Sequence, residues 1–241
     1  MKGINYRNIF ALALVSFTLS APALRADEKD LYDFMWLDPD KKVYVLQNKV
    51  HKKAKTVYLN LGYGTGLSAN FQDVSMIHSN LGFYFSEEWA LEGIYTKYSN
   101  SDNDAMENLK RLNGSIPFIR NTESNYGLLA KWSPFYGKIN TFNKIFYFDW
   151  SFGLGLGKLN TKSNAKTVAN PLSANTYADE KYTSVIAKTG VSFHATKNIH
   201  IGADIIMNNF KAPGPTTVSG KVPESKYRRN LDAVFTLGVS F

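Results

Sequence analysis

The last eleven residues limit the fold more than any other stretch. They read Leu231-Asp-Ala-Val-Phe-Thr-Leu-Gly-Val-Ser-Phe241. In an extended chain Leu231, Ala233, Phe235, Leu237, Val239 and Phe241 share one face, and Asp232, Thr236, Gly238 and Ser240 the other. Alternation carried to a terminal aromatic is expected of the strand that closes a barrel in the bacterial outer membrane. In lipid a sheet must have no open edge, so the last strand has to pair with the first.

The other end points the same way. Lys2 and Arg7 precede an apolar run from Ile9 to Leu19 that is too short to span a bilayer as a helix. Ala21-Pro-Ala23 supplies a cleavage site of small residues, with Ala26 as the later alternative. Residues 1–23 are therefore expected to be a secretory signal peptide. Residues 27–55 form a periplasmic extension, mixing Tyr32, Phe34 and Trp36 with charges and holding one candidate strand at Val43–Leu46. Residues 56–241 are expected to be the barrel.

With no cysteine, the chain has no disulfide, thiolate metal site or cysteine nucleophile. Its 14 Tyr and 16 Phe suit aromatic girdles at two membrane interfaces. The formal charge is +8, falling to +6 once Lys2 and Arg7 leave with the signal. The lysines are spread over turns and loops, which favours solvated loops or anionic lipid headgroups over nucleic acid.

From Thr56 onward eight alternating runs can be counted. They lie near Thr56–Leu67, Ser75–Phe85, from Trp89 through Leu91 and Tyr95 up to the loop at Asn100, Asn125–Pro134, Lys144–Leu156, Thr183–Phe193, Ile199–Met207 and Leu231–Phe241. Each can supply the roughly 9–11 residues of a tilted membrane strand. The connections at Ser86–Glu88, Tyr136–Lys138 and Thr196–Asn198 are short. Those at Asn100–Ser124, Leu159–Glu180 and Lys211–Lys226 are long, and the first is expected to hold a helix near Ala105–Leu112. The loop at Ser68–Val74 is a short exception. Short turns alternating with long loops predict an all-β fold: an eight-stranded antiparallel transmembrane β-barrel with an N-terminal periplasmic extension. A soluble lipocalin-like barrel is the rival, because periodicity alone does not say which face is inside. The signal and the aromatic strand ends favour the membrane.

On that reading the polar face fills the lumen. Glu92, Lys131, Asp149, Lys188, Asp204 and Asp232 are expected to form an internal charge network, joined by His78 and His200. Charges of both signs in a narrow barrel should pair, and eight strands leave no aqueous channel, so the barrel is expected to be plugged. A proton or ion pathway is the sharper but weaker reading. The girdle is assigned to Tyr63, Phe85, Trp89, Trp132, Phe146, Trp150, Phe193 and Phe241. Gly62, Gly64, Gly153, Gly155 and Gly157 point inward and relieve crowding. They are no phosphate loop: a Walker motif ending at Gly157-Lys158 would need glycine where Phe152 stands and Ser or Thr where Leu159 stands. Only His78 is placed to act as a base, and Ser79 beside it has the opposite parity to it, with Ser75 the other nearby serine. No enzymatic activity, metal or cofactor is expected.

Three stretches carry a family resemblance: Val43-Tyr-Val-Leu-Gln-Asn-Lys49 before a basic run, Glu88-Trp-Ala-Leu-Glu92, and Ser133-Pro-Phe-Tyr-Gly-Lys138 with Phe148-Asp-Trp150 and the glycines to Gly157. They resemble the outer-membrane β-barrel domain proteins of myxobacteria and Bdellovibrio-like bacteria. The resemblance implies the fold and an outer-membrane location and carries no catalytic residues. The last strand departs from the usual assembly signal, with Leu237 at the preferred glycine position and Gly238 one place later. The expected role is structural or interactive, through long outer loops. The expected partners are outer-membrane lipid and lipopolysaccharide, and the barrel assembly machinery through the C-terminal strand. A homo-oligomer enclosing lipid or a pathway between subunits, and a lipid-modifying enzyme, are the alternatives.

Overall fold

A computed structural model describes residues 49–114, 116–141, 144–168, 176–217 and 219–241. The expected signal peptide, residues 27–48 of the expected extension and the candidate strand at Val43–Leu46 lie outside the described residues. The strands are β1 (Val57–Gly66), β2 (Gln72–Tyr84), β3 (Trp89–Asp102), β4 (Arg120–Thr141), β5 (Lys144–Ser163), β6 (Ala178–His194), β7 (Ile199–Ala212) and β8 (Lys226–Ser240). Each pairs antiparallel with the next, and β8 pairs with β1 to close the ring. The chain forms the eight-stranded antiparallel barrel that its alternation predicts.

Parity decides the two faces. On β1, Val57, Leu59, Leu61 and Tyr63 are exposed while Tyr58 and Asn60 are buried. On β7, Ile199, Ile201 and Ile205 point out, and His200, Asp204 and Asn208 point in. The apolar face is outside, the reverse of a soluble lipocalin-like barrel. Two ends are distinguished by their connections. Residues 85–88 and 195–198 and the junction of β4 with β5 lie at the turn end. Residues 67–71 and the described residues of the connections after β3, β5 and β7 lie at the long-loop end.

The register also fixes the tilt. Starting from His200, the pairing runs through Gly238, Asn60, Asn80, Ile94, Gly127, Gly157 and Ser184 and returns to β7 at Phe210. The path comes back ten residues further along the same strand, from 200 to 210. Such a stagger requires strongly inclined strands.

The strands are longer than their alternating cores. β4, β5 and β6 run well into the stretches expected to be loops. The turn expected at Tyr136–Lys138 is inside β4 instead. A bulge between Trp132 and Phe135, at Pro134, lets β4 continue to Thr141, paired with Lys144. The β4–β5 hairpin thereby overhangs the turn end.

The expected helix is present as α1 (Asp104–Asn113). The Asn103 side chain accepts from the Met106 backbone N–H, and Gly114 ends the helix in the left-handed region at φ 58°. Met106 is the helix residue turned inward, at 1 % exposure.

Candidate functional site

The lumen is layered. On four strands a charged inward residue sits two positions closer to the turn end than an apolar one: Glu92 before Ile94 on β3, Lys131 after Leu129 on β4, Lys188 after Ile186 on β6, and Asp204 before Ile206 on β7. The charged members meet. Lys188 Nζ donates to Glu92 Oε1 at 2.8 Å and lies 3.1 Å from Asp204 Oδ2. Lys131 Nζ is 3.5 Å from Glu92 Oε2, and the Tyr58 hydroxyl donates to that same oxygen at 2.6 Å. Glu92 is 0 % exposed, so these partners replace its entire hydration shell.

Directly beyond them, Met76, Ile94, Leu129, Ile186, Ile206 and Val234 pack against one another, with Tyr98 at the same cluster. They come from both walls of the barrel and bridge the lumen with side chains. Composition of the inward face had suggested a polar filling; the filling is instead a charged layer capped by an apolar one. A polar layer follows on the long-loop side. The Tyr98 hydroxyl donates to Asp232 Oδ2 at 2.7 Å, and Asn125 donates to Asn208 Oδ1 at 2.8 Å. Further out, Arg120 donates to Glu180 Oε2 at 2.8 Å and to the Pro213 carbonyl at 2.9 Å.

Of the six residues expected to share a charge network, four meet: Glu92, Lys131, Lys188 and Asp204. Asp232 lies beyond the apolar layer among neutral donors. Asp149 lies at the turn-end mouth, where its partners were not anticipated. Its Oδ1 accepts from Lys53 Nζ at 2.7 Å, and its Oδ2 is 2.7 Å from His194 Nε2. Lys53 belongs to residues 49–56, which cross the mouth as a strap before β1 begins. Glu87, in the β2–β3 turn, fastens that strap: its carboxylate accepts from the Ala54 and Lys53 backbone N–H groups at 3.0 and 3.3 Å, and it pairs with Lys49 at 3.0 Å. Burial pushes the Glu87 carboxyl up, but the Ala54 N–H, Lys49 and the Lys53 N–H outweigh it and hold the group below the usual range. His51 stacks on His194 at 4.4 Å and meets the Tyr147 ring edge-on at 5.4 Å. Burial first, and the neighbouring His194 second, lower its pKa, against a weaker pull from Asp149.

Parity could have found Tyr58 and Tyr98, since both fall on the inward series. No signal in the sequence marks Lys53, because the strap lacks a repeat.

His78 is fully buried, and its Nδ1 lies 2.8 Å from the Thr96 hydroxyl. Ser79 faces the other way and donates to the Tyr95 carbonyl at 3.4 Å. Ser75 shares the parity of Ser79. Neither serine is brought to the imidazole.

Outside, Phe85, Trp89, Trp132, Trp150, Phe193 and Phe241 crowd the turn end, with Trp89 on Trp132 and Phe135 on Trp150 each at 5.9 Å. The indole of Trp132 donates to Glu88 at 3.2 Å and that of Trp150 to Thr189 at 2.9 Å, giving each ring a polar anchor. Tyr63 stands at the far edge of the apolar band, and Phe146 is on the hairpin overhang. Beyond the band the outward positions become charged: Lys97, Lys158, Lys181, Lys211 and Arg229 are all exposed.

No family model matches the chain, and no curated protein matches it. Among solved structures it is similar to the N-terminal β-barrel domain of Pseudomonas aeruginosa OprF, with a TM-score of 0.47 and 10% identity over 78% of this chain and 98% of that one. It is also similar to Ail, the attachment invasion locus protein of Yersinia pestis, with a TM-score of 0.44 and 12% identity over 78% and 99%. The outer membrane protein OprG of Pseudomonas aeruginosa gives 0.45 and 12% over 79% and 97%.

Proposed function

We propose that this protein is an integral outer-membrane barrel with a closed lumen, acting as a structural element and a surface for interaction through its long-loop end. The cross-lumen cluster of Met76, Ile94, Leu129, Ile186, Ile206 and Val234 carries the reading of the lumen. A barrel bridged by packed apolar side chains offers ions no hydrated path. The membrane reading rests on the continuous outward apolar band, on the aromatic ring with anchored indoles at the turn end, and on the basic collar at the long-loop end, which suits anionic headgroups and lipopolysaccharide. In this orientation the turn end and residues 49–56 face the periplasm.

Planar-bilayer recording tests the closed lumen. Purified protein inserted into lipid should give no steady conductance steps. Reproducible ohmic steps that persist in independent preparations would overturn it. Replacing Met76, Leu129 and Ile206 together with Ala should create conductance where the native chain has none.

A further inference from the structure

We propose that the turn-end mouth is a binding site for a tetrahedral oxyanion, a phosphate or phosphate monoester. Four lysines, Lys52, Lys53, Lys131 and Lys197, contribute to the lining of this cavity, which includes a single acidic residue, Asp149. The cavity they line is small, about 40 Å³, and opens to solvent. Both Asp149 oxygens are already engaged, one by Lys53 and one by His194. Lys131 is directed at Glu92 and over the Tyr58 ring. Lys52 and Lys197 have no ion-pair partner among the described residues, and Lys53 uses one of its three protons on Asp149. The mouth therefore holds more cationic side chains than anionic ones. A concave site of one sign, walled by protein, concentrates counter-ions.

The arrangement of the donors selects the geometry of the anion. Lys52 and Lys53 approach from the strap, Ser192 from β6, Lys197 from the β6–β7 turn and Lys131 from β4. Donors carried on separate elements around the mouth suit an anion with acceptors on all sides. A planar carboxylate presents its oxygens in one plane and would leave some of those donors unpaired.

Calorimetric titration of the folded full-length barrel in a non-ionic detergent tests the site. Inorganic phosphate is titrated in a chloride buffer, with glycerol phosphate and succinate as separate arms. Saturable one-to-one binding of phosphate is expected. It should weaken by on the order of tenfold or more in Lys52→Glu/Lys197→Glu, the loss of charge-assisted bonds. Lys166→Glu, with the charge change in a long-loop segment, should bind as the native chain does. Heat-modifiable gel migration confirms that each variant is folded. Tighter binding of glycerol phosphate than phosphate identifies the monoester as the ligand, and the reverse identifies the free anion. No saturable phosphate binding, or equal weakening by Lys166→Glu, overturns the site. Succinate binding as tightly as phosphate overturns the tetrahedral assignment.

Discussion

Lys53 and Asp149 meet at 2.7 Å, although one precedes the first strand and the other lies in β5, 96 residues later. Their side chains are 8% and 6% exposed. A cation on a segment outside the sheet thus completes the lumen's polar lining. Lys53→Met should leave the barrel intact and release the strap. Trypsin should then cut after Lys52 and Lys55 faster than in the native protein. Unchanged cutting would mean that Glu87 alone holds the segment.

The strap should also loosen with acid, in two windows. His51 titrates lower in the folded chain than its ordinary 6.5. Its contribution is therefore complete above that value and declines as pH falls below it. Glu87 likewise titrates below its ordinary 4.5, so its contribution is present above 4.5 and is lost as pH falls through the lower folded value. The groups facing these two are His194, Asp149, Tyr147 and Lys49, with Lys53 beside them. The chain has no cysteine, so Lys52→Cys accepts a single spin label. Label mobility should rise in two steps on acidification, and Glu87→Gln should abolish the lower step.

Glu92 is the centre of the charged layer. Glu92→Ala leaves Lys188 and Lys131 buried without their shared carboxylate and should cost about 3–5 kcal/mol, as removal of one partner of a buried pair does. Urea unfolding in lipid vesicles measures it. A loss under about 1 kcal/mol would mean that water reaches the layer and that the lumen is wetter than its packing implies.

The outward face predicts a depth profile. Leu61 is mid-band and 58% exposed; Val57 is at the turn end of β1. Lysine at Leu61 should destabilise the folded barrel in lipid by roughly 2–4 kcal/mol, and at Val57 by about 0–1 kcal/mol. Equal effects at the two positions would argue against a membrane around this band.

Much of this was legible in the alternation. One face apolar and one polar, repeated eight times with short and long connections, is enough to give the strands and their order. Two things were hidden, for different reasons. The strand ends past the band are polar on both faces, as at Asn160–Ser163 and Asp179–Lys181, so the alternation stops while the hydrogen-bonded ladder continues. The apolar layer is hidden by the opposite effect. Ile186 lies between Val185 and Ala187, Leu129 between Leu128 and Ala130, and Ile206 between Ile205 and Met207. Where both faces are apolar, a lumen residue is indistinguishable from its outward neighbours. The displaced turn at Tyr136–Lys138 has a local cause: a glycine between polar residues reads as a reversal, but a bulge at Pro134 had already re-aimed the strand.

The departure at the end of the last strand has a use. Gly238 faces the lumen under the contact between His200 Nε2 and Asn60 Oδ1, at 2.5 Å, and a Cβ there would overlap both groups. Gly238→Val should displace that pair, weaken the seam between β8 and β1, and lower the unfolding midpoint. The cost expected of such overpacking is about 1–3 kcal/mol. A stability equal to the native value would show that the seam yields without cost.

The apolar layer makes the molecule two vessels standing base to base on a common floor. On the closed lumen proposed above, neither solvent nor solute passes from one to the other, so whatever each end meets, it meets alone. News of an event at one rim can reach the other only as a mechanical strain in the wall, and a wall hydrogen-bonded all the way round is stiff. Evolution could therefore reshape the loops above the floor with little consequence for the chemistry below it.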